Sequence, residues 1–267
     1  MTPAVAVALD KIVGNVVALR HAKGAGRAFE LYIMTGVASA LAALGWDVWL
    51  QRSDGTPVNA TDSDRRFIQR GGAPTGVLGA AQGADNASSL VFRHPGAQRE
   101  WEIWNGIQFL GRSGGSHEID IAIVPREVGI ALRSLPTGGL PGGRPKVSIE
   151  CKDVEAKGSA DEMRAFVARL YDLTMLTWHD GKIGHLPFPL AHISPGASLP
   201  DYRPFQSFWV GNRETFNALV RRTGFSNGAT AMTGYYGIQP RGPVTPGSPE
   251  DASLLTELTT WILSNLS

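Results

Sequence analysis

The chain has a single cysteine among its 267 residues, Cys151, so neither an internal disulfide nor a cysteine-rich zinc site can be built. It also lacks an excess of either charge: 25 Lys and Arg against 24 Asp and Glu leave a formal net charge of +1. A basic field over the whole molecule is thereby excluded, and any contact with nucleic acid must come from a local patch. Long hydrophobic runs are missing as well. The longest uncharged apolar stretch, Leu31 to Trp46, is too short for a bilayer span and is dotted with Thr, Gly and Ser. The start, Met1 to Arg20, carries Asp10 and Lys11 inside its apolar run and has no basic leader, which makes a poor signal peptide. A cytoplasmic protein without membrane contact is expected. No internal repeat and no two-domain split is visible.

What is there suits one large domain with a sizeable core: 43% hydrophobic and 18% charged residues, with 32 Gly and 17 Pro implying many turns and long connections. Thr2-Pro3 reads as a helix start, and Val5, Leu9, Ile12, Val13, Val16 and Val17 recur at helical spacing, predicting a helix over 3–19. A second helix is expected from Arg27 to Leu44, stopped by Gly45. Its Glu30 lies in one row with Met34, Val37 and Leu41. It is either an exposed first-turn acid or a buried carboxylate that something charged must meet.

Trp46 to Arg52 reads as a strand. Ser53 to Ala87 reads as a long loop, whose Arg65, Arg66 and Arg70 beside Asp62 and Asp64 suggest a solvated mixed-charge surface. Ser88–Arg93 and Arg99–Leu110 read as a hairpin, with Trp101, Ile103 and Ile107 on one face and polar Asn105 between them. Pro125 to Pro145 is expected to be an extended loop with a short helical or strand piece at Val128–Leu132. Ser159 caps a helix to about Trp178, Phe205–Gly211 is a strand, and Asn212 caps a helix to about Arg222. Tyr235–Ile238 is a candidate short strand, and Ser248 caps a final helix. The order says α/β or α+β with a central mixed sheet flanked by helices.

Two stretches gather chemistry. Glu118-Ile119-Asp120-Ile121-Ala122-Ile123-Val124 and Val147-Ser148-Ile149-Glu150-Cys151-Lys152-Asp153 both read as short strands. Alternation puts Glu118 and Asp120 on one face, opposite Ile119, Ile121 and Ile123, and Ser148, Glu150 and Lys152 on one face of the other strand. Cys151 then falls on the apolar face as a small core residue. Two carboxylates converging with an ammonium suit a hard divalent cation, which can activate water and offset charge on a phosphoryl oxygen. Taken alone, Glu-Cys-Lys is a weak pattern that a cross-strand ion pair explains better.

A helix with Glu30, then strands, then Asp120, then Glu150-Cys151-Lys152, then a helix and a further strand resembles the PD-(D/E)XK, or restriction-endonuclease-like, nuclease superfamily. Within it, Gly111 to Asp120 followed by Ile149 to Lys152 resembles a bacterial restriction or defence-type branch. The resemblance implies an αβββαβ core over about 27–211 within one nuclease-like domain spanning 1–267, with the helix 3–19 and the segment 212–267 as extensions. It implies Asp120 and Glu150 as metal-binding acids, Lys152 as the catalytic lysine, and Glu30 as the further acid carried on the first helix. It implies Mg²⁺ or Mn²⁺ as cofactor and DNA, rather than RNA, as substrate. A homodimer would supply the two sites that cutting a duplex requires, and a defence-system protein is the other partner it suggests. Two features depart from the pattern: Ile119 stands where the motif has proline, and 125–145 is longer than a simple hairpin. His117 is expected to pack at the strand end rather than at the metal. The alternative is an inactive nuclease-like fold that binds nucleic acid or protein.

Overall fold

Strands in the middle of the chain form because β-branched and aromatic side chains there alternate, and helices close over both faces of the resulting sheet. The computed structural model describes residues 2–14, 18–20, 25–69, 88–111, 114–134, 145–173, 176–177, 183–184 and 215–267. In order these are α1 (Thr2–Val13), β1 (Ala18–Arg20), α2 (Ala25–Ala43), β2 (Asp47–Gln51), β3 (Arg66–Ile68), β4 (Ser89–Arg93), β5 (Trp101–Leu110), β6 (Ser116–Pro125) and α3 (Arg126–Ser134). Then come β7 (Val147–Lys152), α4 (Ala160–Leu173), β8 (Leu176–Thr177), β9 (Ile183–Gly184), β10 (Phe216–Arg221), α5 (Asn227–Tyr236), β11 (Gln239–Arg241) and α6 (Pro249–Asn265). The architecture is α/β, with a mixed seven-stranded sheet in the order β11-β10-β7-β6-β5-β4-β2. From β2 to β7 neighbours are antiparallel, whereas β10 runs parallel to both β7 and β11.

One face of the sheet packs against α1, α2 and α6 through Leu9, Phe29, Met34, Val37, Leu41, Leu254 and Leu258, which meet Ile103, Ile121, Ile149 and Val220. The other face meets α4 through Met163, Phe166 and Leu170, joined by Trp104, Ala122, Val124 and Leu219. Each fully buried Leu, Ile or Phe contributes on the order of 1.5–3 kcal/mol, so these two layers hold the sheet between them. The last helix is also tied down directly: the Trp101 indole donates to the Leu266 carbonyl at 2.9 Å. Among the described residues no helix is long and apolar enough to cross a membrane.

Several expectations hold locally. Gly45 has φ +84° and ends α2, with Trp46 N–H reaching back to the Leu41 carbonyl at 3.1 Å. Ser159 Oγ accepts from Glu162 N at 3.1 Å and Ser248 accepts from Asp251 N, capping α4 and α6.

Others are corrected. The first helix stops at Val13 rather than at residue 19, because Gly14 adopts φ +79°; residues 18–20 instead pair in parallel with β3, inside the stretch expected to be loop. The helix expected from Asn212 to Arg222 is strand β10 over 216–221, inserted beside β7. In place of the strand expected at 235–238, α5 runs to Tyr236 and Gly237 caps it; the strand follows at 239–241. Helix α4 ends at Leu173, not near residue 178, and the 125–145 segment opens directly into α3. The strand expected at 205–211 lies outside the described residues.

Helix α3 packs so closely on β5 that a Cβ built on Gly129 would fall inside the Glu102 carboxylate. An alanine in a helix ordinarily gains up to ~1 kcal/mol over glycine. Here Gly129→Ala is expected to lose about 3 kcal/mol through overpacking, read as a lowered midpoint in urea.

Candidate active site

The site is built where the β6–β7 ladder stops. The two strands pair over Ile121↔Ile149, Ala122↔Ser148 and Ile123↔Val147, and then separate. Asp120 and Glu150 are the next residues on each strand. In place of a ladder bond, Asp120 Oδ2 accepts the Cys151 N–H at 2.8 Å. On the other side of β6 the pairing with β5 runs through Asn105↔Ile121 and resumes at Ile107↔Ile119, which leaves Gly106 opposite Asp120. Gly106 has φ +61°, a conformation costly for any other residue.

That kink reverses which way the side chains face. Ile121 and Ile123 pack with α2, whereas Ile119 packs with α4; on β5, Ile103 and Ile107 part in the same way. The expected alternation is therefore overturned at Ile119 and Ile107. Asp120 stands at the crossover, between the two helical layers.

Glu30 comes in from α2 and is 7% exposed. Its Oε2 accepts from Arg27 NH1 at 3.0 Å and from Asn105 Nδ2 at 2.7 Å. The same Asn105 Nδ2 donates to the Asp120 backbone carbonyl at 3.0 Å, so one amide links α2 to β6. Arg27 also lies 3.6 Å from Glu118 Oε1. From the opposite layer, Arg169 on α4 pairs with Glu150 Oε2 and donates to the Glu118 carbonyl at 3.1 Å. Glu150 Oε1 takes the Lys152 ammonium at 2.5 Å.

The charges register this crowding. Burial, then Glu150 and Glu30 beside it, push Asp120 up to about 7, against the opposing pull of the Cys151 N–H and Lys152. Burial raises Glu30 too, although Asn105 and Arg27 oppose it. Burial would lower Lys152, but Glu150 and Asp120 more than offset that and hold it above the ordinary lysine range. As the site stands, Lys152 is therefore an ammonium, a donor rather than a base. Burial, with three acids around it, raises the Cys151 thiol well above its ordinary value and leaves it an inert core group.

The structure thus gathers Glu30, Asp120, Glu150 and Lys152, from α2, β6 and β7, into one electrostatic cluster. His117 is elsewhere: it faces α4, with Nε2 2.6 Å from Asp172 Oδ2. The residues the sequence does not single out are Arg27, Asn105 and Arg169. Arg27 stands one turn before Glu30 and Arg169 flanks the Phe166–Leu170 stripe, yet their acid partners come into view only once the layers are assembled. Asn105 shows in the sequence only as a polar residue on an apolar face.

Among the described residues, no group of three or more His, Cys, Asp or Glu is arranged to hold a metal ion. No family model, curated protein or solved structure matches the chain.

Proposed function

We propose that this chain is a metal-dependent nuclease that hydrolyses DNA phosphodiester bonds, built as one restriction-endonuclease-like domain. The observation that carries the reading is the placement of Asp120 and Glu150 side by side where β6 and β7 part, with Lys152 paired to Glu150 and Glu30 entering from the preceding helix. With the intervening β2–β4, α3, β8 and β9 set aside, α2, the antiparallel strands β5–β7, α4, and β10 parallel to β7 follow the helix–three strands–helix–strand order of that fold, which supports it. DNA rather than RNA and a restriction or defence role follow from the sequence resemblance.

The donor set fits Mg²⁺ or Mn²⁺. Burial first, and then the repulsion of the neighbouring carboxylates, raise Asp120, and a divalent ion held by these hard oxygens would relieve that repulsion. Asp120 and Glu150 would hold it, with Glu30 adjacent. Mg²⁺ keeps several waters and commonly takes only one or two carboxylates, so three protein acids around the ion are not required. When bound, the ion supplies an activated water and charge stabilisation at the phosphoryl oxygen. Lys152, held as an ammonium, donates a hydrogen bond and offsets negative charge developing at the reacting phosphate. Arg27 and Arg169 fix the Glu30 and Glu150 carboxylates from the two helical layers.

One observation favours the second reading, an inactive nuclease-like binding module. Glu150 is already bridged by Lys152 and Arg169, and Glu30 by Arg27, so the acids have cationic partners without a metal. Incubation with supercoiled and linear DNA separates the two. Cleavage is expected with Mg²⁺ or Mn²⁺ and lost with EDTA and in Lys152→Ala. Cleavage that survives both would sink the mechanism. Retained DNA binding with neither metal binding nor cleavage would establish the module instead.

A further inference from the structure

We propose that Asn105 is a further ligand-binding residue of this site, its Oδ1 accepting a hydrogen bond from the water shell of the bound divalent cation; the proposal rests on the metal-dependent reading above. Asn105 is 5% exposed on β5, on the face where Trp101 and Ile103 are core. An apolar residue would continue that core, so a buried amide here needs partners to offset its desolvation.

The amide cannot be turned round. Both groups within its reach on the acid side, Glu30 Oε2 at 2.7 Å and the Asp120 carbonyl at 3.0 Å, are acceptors, so the NH₂ must face them. That leaves Oδ1 buried with no hydrogen-bond partner among the described residues. Buried side-chain oxygens are nearly always satisfied, and a water or an ion's water shell beside an acid cluster is one of the donors that explain an exception. Among the described residues the surrounding elements do not supply one: α2 presents Glu30, β6 presents Asp120, and the Arg27 guanidinium on α2 is held between Glu30 and Glu118.

A hydrated divalent ion provides the missing donor, because its coordinated waters are polarised hydrogen-bond donors while its charge is what the acids require. Asn105 would then serve the site twice, through Nδ2 to the acids and through Oδ1 to the ion's water.

The test is Mn²⁺ binding to the EDTA-stripped full chain, followed by electron paramagnetic resonance, in wild type, Asn105→Leu, Asn105→Ala and Asn105→Asp. Leu and Ala remove the acceptor and are expected to weaken Mn²⁺ at least about 10-fold, as loss of an outer-shell partner does. Asp keeps an acceptor for the water but loses the donor to Glu30, and is expected to bind within about threefold of wild type or tighter. If Asn105 only props Glu30, Asp is damaged at least as much as Leu and Ala, and that result overturns the proposal. So does wild-type affinity in Leu or Ala. If wild type binds no Mn²⁺, the nuclease reading itself fails and takes this inference with it. Two deletion variants keep the comparison readable where one of them does not fold.

Discussion

Replacing Asp120 by asparagine is expected to abolish DNA cleavage, by at least about 10³-fold, and yet to make the metal-free protein more stable at pH 8. The loss of rate follows from removing a charged group placed to hold the ion that stabilises developing charge. The gain in stability follows from the raised carboxyl. Burial, Glu150 and Glu30 lift it from 3.8 to about 7 in the folded state. A folded pKa above the unfolded one means that the native protein holds the proton more tightly. Stability therefore falls as pH rises from about 4 to about 7 and stays reduced above that window. At 1.36 kcal/mol per unit the ceiling is about 4 kcal/mol, and sharing of the proton among neighbouring acids makes about 1–4 kcal/mol the expected range. The neutral amide of Asp120→Asn carries no such penalty. Urea unfolding in EDTA at pH 5 and pH 8 checks this: the gap between variant and wild type should open at the higher pH. A gap equal at both pH values would show that Asp120 is not crowded. Mg²⁺ should close the gap, adding about 2.7 kcal/mol to wild type at 100 times its dissociation constant and little to the variant.

The residues that a metal would need were legible because each carries its own local signal, a carboxylate or ammonium at fixed spacing on a strand or in a helical row. Their supports were not, because support is a property of assembled layers. Arg169 and Glu150 are partners across the α4–sheet interface, and Asn105 meets Glu30 across the other one. The kink was half-legible: a lone glycine inside a strand, Gly106, hints at a bend, but nothing in β6 shows that Ile119 and Ile121 face opposite layers. Strand β10 misleads for a physical reason. Phe216, Leu219 and Val220 sit at helical spacing behind an asparagine cap, but a parallel strand buried on both faces need not alternate. All six of its residues are buried, so burial on both sides erases the pattern that would have distinguished the two.

Replacing Arg126 by methionine is expected to cost about 3–5 kcal/mol, because it removes a guanidinium that is ion-paired with a buried carboxylate. Arg126 opens α3 and reaches down to Glu102 Oε1 at 2.7 Å, while also bonding Gln51 Oε1 and approaching Glu100 at 3.3 Å. Glu102 is 0% exposed on β5, and its Oε2 accepts from the Trp104 indole at 2.7 Å. Without the guanidinium, this carboxylate keeps neutral donors such as Trp104 and Gln51 but loses the charge-assisted bond from Arg126. Glu102→Gln should cost less, about 1–2 kcal/mol, because Arg126 is partly exposed and retains Glu100. The double substitution should then be milder than the sum of the two by about 2 kcal/mol, since the neutral amide no longer needs the lost cation. Urea denaturation of the four proteins closes the cycle. Additivity to within about 0.5 kcal/mol would mean that the two side chains are not coupled and that α3 is held on β5 by packing alone.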